Sequence, residues 1–269
     1  MRRNVVIIGT LMFVAWMAGV TSAGPAKGSV TIIHGVPGFT ADIYLDDELL
    51  LDGFEPTSTA GPLRVAPASY HVDIREVGAP ADSPPVLSGT VRVRAGANIS
   101  IVAHLTPAGD PTLTVFHNAF ERLPAGRSLL LVRNVAAASP LSVLLGGDRV
   151  KEGLREGGEW SLVIASGRYE IAFESPTAGE VMIPATEVRL EEGVAQIVYV
   201  VGSAEGGNLD LMLQTVSGLH SAPSGVLSGD GGLGASPRFP TWAVTVMVAA
   251  GATLLVCTRQ LLRGRMQRR

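Results

Sequence analysis

Tyr70, Val72 and Ile74 alternate with His71, Asp73 and Arg75. A period of two places successive side chains on opposite faces of an extended chain, so the run predicts a half-buried β-strand. Similar short runs fill residues 29–216, separated by turn signals every 8 to 12 residues, and no stretch there carries the three-to-four spacing of an amphipathic helix.

The runs also recur in order. Val30-Thr31-Ile32-Ile33-His34 matches Leu129-Leu130-Leu131-Val132-Arg133, and Asp42-Ile43-Tyr44-Leu45 matches Ser142-Val143-Leu144-Leu145. Further on, Ser69-Tyr70-His71-Val72 matches Arg168-Tyr169-Glu170-Ile171, and Val91-Arg92-Val93 matches Val188-Arg189-Leu190. An internal repeat of about 97 to 99 residues, with seven or eight strands in each copy, predicts an all-β chain built from two tandem Ig-like or Greek-key β-sandwich domains. The expected domains span residues 24–122 and 123–216.

The flanks follow different patterns. Residues 1–23 carry Arg2 and Arg3, an apolar run from Val5 to Val20 and the small residues Thr21-Ser22-Ala23. This predicts a signal peptide cut after Ala23, with an uncleaved N-terminal anchor as the alternative. Residues 217–240 are dominated by Gly, Ser and Pro and read as a flexible stalk. Residues 241–262 begin with 18 positions free of charge and proline, and residues 263–269 are basic, so a single transmembrane helix with a cytoplasmic C-terminus is expected.

Composition narrows the choices. With 46% hydrophobic and 17% charged residues the chain is too apolar to be disordered. One cysteine, Cys257, excludes a disulfide scaffold and a multi-cysteine zinc site. All 24 acids fall in residues 24–240 against 14 basic residues, which leaves that portion at −10 and argues against a nucleic-acid partner.

Within the first copy, His34-Gly35-Val36-Pro37, Ala41-Asp42-Ile43-Tyr44-Leu45-Asp46-Asp47 and Pro67-Ala68-Ser69-Tyr70-His71-Val72 resemble the domain of unknown function 4397, a bacterial cell-surface domain with motifs of the type H-A-x-P, D-V-Y-V-D-G and P-A-G-T-Y-x-V. The second copy is degenerate, with Arg133 in place of the histidine and Ser142 in place of Asp42. The resemblance implies a secreted or surface-attached β domain, often in tandem, with no established chemistry.

Candidate chemistry is sparse. Six acids between Asp42 and Glu55 suggest calcium, but no D-x-D-x-D-G loop organises them, and Asp46-Asp47 aligns with Gly146-Gly147, which points to a tight turn with positive φ. Strand parity places His71 and His104 toward solvent. His34 and Asp42 are the ligand-contact candidates, although packing or hydrogen bonding in the turn is the expected role of His34. No catalytic, cofactor or metal residues are assigned: there is no G-x-S-x-G elbow, and the G-x-G-x-x-G at Gly229, Gly231 and Gly234 has no strand before it.

The expected protein is therefore a single-pass protein of the cytoplasmic membrane, with its β domains outside and without a cofactor, serving binding, adhesion or structure in the bacterial envelope. Its partners would be the bilayer, through the C-terminal helix, and an envelope protein or glycan. An exported hydrolase or metal-dependent enzyme, and an accessory subunit of a membrane complex, are the alternatives.

Overall fold

A computed structural model describes residues 25–80 and 83–220 of the chain. The expected signal peptide, the transmembrane segment, the basic tail and most of the stalk lie outside these residues.

The described chain contains sixteen strands and no helix. The first eight are β1 (Gly28–His34), β2 (Ala41–Leu45), β3 (Glu48–Phe54), β4 (Thr59–Val65), β5 (Ala68–Glu76), β6 (Leu87–Val93), β7 (Asn98–Leu105) and β8 (Pro111–His117). The second eight are β9 (Arg127–Asn134), β10 (Leu141–Leu145), β11 (Asp148–Leu154), β12 (Glu159–Ala165), β13 (Gly167–Glu174), β14 (Val181–Leu190), β15 (Ala195–Val201) and β16 (Asp210–Val216).

They form four sheets of four strands, ordered β3-β2-β5-β6, β4-β1-β7-β8, β12-β9-β15-β16 and β11-β10-β13-β14. Both halves have the same strand order, and each contains one parallel pair, β1 with β7 and β9 with β15. Val30, Ile32, Ile43, Ile74 and Ile101 close one sandwich core; Leu130, Val132, Val143, Phe173 and Val198 close the other.

The expectation of half-buried strands holds for outer strands such as β12, whose side chains alternate between exposed and partly buried. It fails for the inner sheets, where β15 is buried at every position and β1 and β7 nearly so. The reason is a third apolar layer, in which Ile33, Val102 and Phe116 of the first half pack on Leu131, Ile197, Tyr199 and Met212 of the second. The strands β1, β7, β9 and β15 are covered on both faces, so the described residues form a stack of four sheets rather than two beads on a string, and all of them fall in one compact unit. Gly35, at the end of β1, allows this close approach: a Cβ there would lie 2.9 Å from Val201 and 3.1 Å from the Ala103 carbonyl.

A polar network crosses the same seam. Arg133 has no solvent exposure. Its Nη1 donates to Asn118 Oδ1 at 2.9 Å and to Tyr199 Oη at 2.8 Å, and its Nε donates to Glu159 Oε2 at 3.1 Å. Its guanidinium stands 4.3 Å from the centre of the Phe116 ring. Tyr199 Oη and Ser100 Oγ both donate to Gln214 Oε1, at 2.6 and 2.8 Å, and Gln214 Nε2 donates to Thr31 Oγ1 at 3.1 Å. Burial pushes the Tyr199 hydroxyl above its usual pKa despite the nearby guanidinium, which keeps it a donor.

Two sequence expectations are corrected here. His104 does not face solvent: it is fully buried in the seam, because the face opposite the first core is covered by the second half. Arg133 does not occupy the place of His34. His34 exchanges backbone hydrogen bonds with Thr57 and Ser58, whereas Asn134 makes the corresponding pair with Gly157 and Gly158. The alignment of the first strands therefore slips by one residue, enough to turn every side chain to the wrong face. Ser100 is also buried within the network.

Two substitutions test these layers by chemical denaturation. Arg133→Ala removes the charged donor from three acceptors and is expected to cost about 3 kcal/mol. Trp160→Ala, which opens the second core, is expected to cost about 3 kcal/mol. A loss below about 0.5 kcal/mol in either variant would contradict the packing described.

Candidate functional site

His34 ends β1 and is 2% exposed. Its Nε2 donates to the Phe39 carbonyl at 3.1 Å, while Nδ1 has no hydrogen-bond partner. Phe39 meets the ring edge-on at 5.3 Å and Phe54 stacks on it at 5.7 Å. Burial holds the imidazole below its usual pKa, opposed only by the bond to Phe39, so the ring is kept neutral.

Asp42, on the neighbouring strand β2, is 6% exposed and is also committed to the backbone. Its Oδ1 accepts from the Gly53 amide at 2.9 Å and its Oδ2 from the Gly78 amide at 3.2 Å. No hydrogen bond or ion pair joins Asp42 to His34 among the described residues. The carboxylate pins two glycine-containing bends, and the imidazole closes the loop after β1.

The other acids are distributed by turn geometry. Asp46 and Asp47 have φ of 48° and 67°, and Gly146 and Gly147 have 60° and 89°. Each pair forms the two-residue connection of a hairpin, flanked by Leu45 opposite Glu48 and by Leu145 opposite Asp148. Asp46 Oδ1 also accepts from the His71 amide at 2.7 Å, tying the turn to β5. No three His, Cys, Asp or Glu side chains among the described residues converge as a metal-ligand set.

A polar cluster that the sequence did not suggest lies across β5 and β6. Ser88 Oγ donates to Asp73 Oδ1 at 2.6 Å and lies 3.0 Å from His71 Nε2, while Asp73 Oδ1 also lies 3.2 Å from His71 Nε2. The hydrogen bond from Ser88, with smaller help from Arg75 and His71, holds the Asp73 carboxyl below its usual range. The residue types are those of a nucleophilic triad, but the geometry differs. The acid and the hydroxyl share one ring nitrogen, and the serine proton points to the acid, so the imidazole is not aligned to accept it.

The apolar interior of the first sandwich offers a different kind of site. A cavity of about 30 Å³ lies between its sheets, at the inner end of an apolar trough. Val30, Ile32, Ile43, Leu63, Val72 and Ile74 are among its walls, and His34 is the only lining residue that is neither aliphatic nor Phe or Tyr. Tyr70 also lines it, and its hydroxyl donates to the Ala66 carbonyl at 2.9 Å; Tyr169 makes the same bond to Ala165 at 3.0 Å in the second sandwich. This is the tyrosine-corner arrangement of β-sandwiches, in which the phenol fixes the chain four residues upstream.

His104 is a second buried imidazole. Its Nε2 is 2.8 Å from Thr114 Oγ1, its Nδ1 is 3.1 Å from the Leu105 carbonyl, and Glu156 Oε1 of the second half lies 3.6 Å from Nδ1. Burial is again the largest influence and lowers its pKa, against the bond to Leu105 and the charge of Glu156.

Both histidines therefore bind a proton more weakly in the folded chain than in the unfolded chain, where the usual value is 6.5. Below that value the unfolded state takes up more protons, so stability is full above about pH 6.5 and falls as the pH drops through it. Replacing each histidine by its counterpart in the second sandwich, His34→Asn with His104→Val, is expected to flatten this dependence in denaturation curves taken between neutral and mildly acidic pH. An unchanged slope would show that neither imidazole is buried neutral.

Comparison with known proteins adds a family. No curated protein matches the chain. Among solved structures, a "putative cell adhesion protein" from Bacteroides uniformis is similar at 13% identity over 72% of this chain and 98% of its own, with a TM-score of 0.23. A family model matches residues 28–144, which run from β1 through nearly all of β10 and contain His34, Asp42 and Tyr70. That family model is described as "Domain of unknown function (DUF4397)", and residues 28–144 are similar to it.

Proposed function

We propose that this protein is a binding, adhesion or structural module of the bacterial cell envelope, exported and held on the cytoplasmic membrane by the apolar segment 241–262. The observation that carries the reading is the locked seam: a network from Thr31 to Arg133 joins two sandwiches into one rigid body. Such a body suits presentation of a surface at a fixed geometry. The stalk, with an r.m.s. span of about 27 Å for 24 flexible residues, lifts it clear of lipid headgroups.

The sequence repeat and the common strand order support tandem copies of one Ig-like, Greek-key domain, the second of them degenerate. His34 and Asp42 then belong to its scaffold, holding the bends that frame the first sandwich.

Protease added to intact spheroplasts tests the topology. Cleavage within residues 217–240 should release the two-sandwich body, while residues 263–269 remain protected until lysis. A chain that stays intact until the membrane is broken would overturn the reading.

A further inference from the structure

The two sandwiches share a strand order but not the sizes of their core side chains. Hydrogen-bond register pairs Ala41 with Leu141, Val72 with Ile171, Ile74 with Phe173 and Val93 with Leu190 as corresponding positions, and at each of them the first sandwich carries the smaller side chain. All four of these first-sandwich residues line the cavity. Ile32 in place of Val132, Ile43 in place of Val143, Ile101 in place of Val198 and Phe54 in place of Leu154 reverse the trend.

The cavity also has an entrance. β3 and β4 are the edge strands of their sheets. Leu50, 37% exposed, and the partly exposed Leu63, Val65 and Tyr70 connect the cavity walls with solvent on this side. Leu49, 46% exposed, extends the apolar surface along β3.

We propose that the first sandwich binds an unbranched alkyl chain, inserted end-first between β3 and β4 with its headgroup left outside. The cross-section selects the class of ligand. An inner cavity of about 30 Å³ admits the tip of a thin chain, whereas a ring would require the sheets to separate. No charged side chain lines the trough, so a carboxylate or phosphate would lose its hydration inside without compensation. The walls are close-packed aliphatic carbon, which a methylene chain complements. The placement rests on the envelope reading above, in which the sandwich faces an environment that contains acyl chains.

Photolabelling of the full-length chain in phosphatidylcholine vesicles tests the proposal. One arm carries a diazirine at the end of a lipid acyl chain, and the other adds a free diazirine-bearing long-chain alcohol. Peptides spanning Leu50–Val65 are expected to be labelled in at least one arm, and the arm identifies membrane lipid or free amphiphile as the source. Ile74→Phe, which installs the second sandwich's residue in the cavity wall, should reduce that label about tenfold and leave labelling of residues 241–262 unchanged. Ala41→Leu provides the same test if Ile74→Phe does not fold. Label confined to 241–262, or equal label in wild type and a folded cavity-filling variant, would overturn the proposal. Neither result depends on orientation in the cell, so failure here is distinct from failure of the spheroplast test.

Discussion

Arg133 is the charge around which the rest of the structure is arranged. It stands without solvent contact between two sandwiches, supported by the faces of Phe116 and Tyr199 and by oxygens from Asn118 and Glu159. Removing a guanidinium from water is costly, and only a nearly complete set of partners offsets it. Those partners come from both halves of the chain, so the charge is satisfied only when the halves are docked in one register. An apolar seam alone would tolerate sliding. A network ending on Gln214, Ser100 and Thr31 does not, because its donors and acceptors meet at fixed positions.

Much of the architecture is legible in the sequence because it is local. The alternation in β5 and β12 marks strands with one wet face, and Asp46-Asp47 opposite Gly146-Gly147 marks a turn that needs positive φ twice. Tyr70 and Tyr169 mark the same corner in each half. What the alternation could not reveal is the second dry face of β1, β7, β9 and β15, since the layer covering it is contributed by residues about a hundred positions away. His104 shows the consequence: a polar residue at an outward parity position reads as solvated until another sheet is laid over it.

The first motif was harder to place for a related reason. Val30-Thr31-Ile32-Ile33 and Leu129-Leu130-Leu131-Val132 carry no charge and show no regular alternation, because strands buried on both sides need no wet face. Without alternation nothing fixes the register, and a slip of one residue goes unnoticed in the sequence; the hydrogen bonds of His34 and Asn134 resolve it. The candidate pair His34 and Asp42 was found through motif resemblance, and both prove to be backbone-binding groups. The cavity beside them had no sequence signal of its own, because side-chain sizes in the two halves become comparable only through the strand register.

The doubly covered inner sheets also determine which portion of the chain evolution can move as a piece. If the polypeptide were divided between His117 and Arg127, each fragment would carry a complete sandwich and an uncovered plate of Ile33, Val102 and Phe116, or of Leu131, Ile197 and Tyr199. Such plates invite self-association, so neither fragment is an autonomous building block. The unit that recombination could transplant intact into another architecture is the fused pair, even though its halves carry separate interiors.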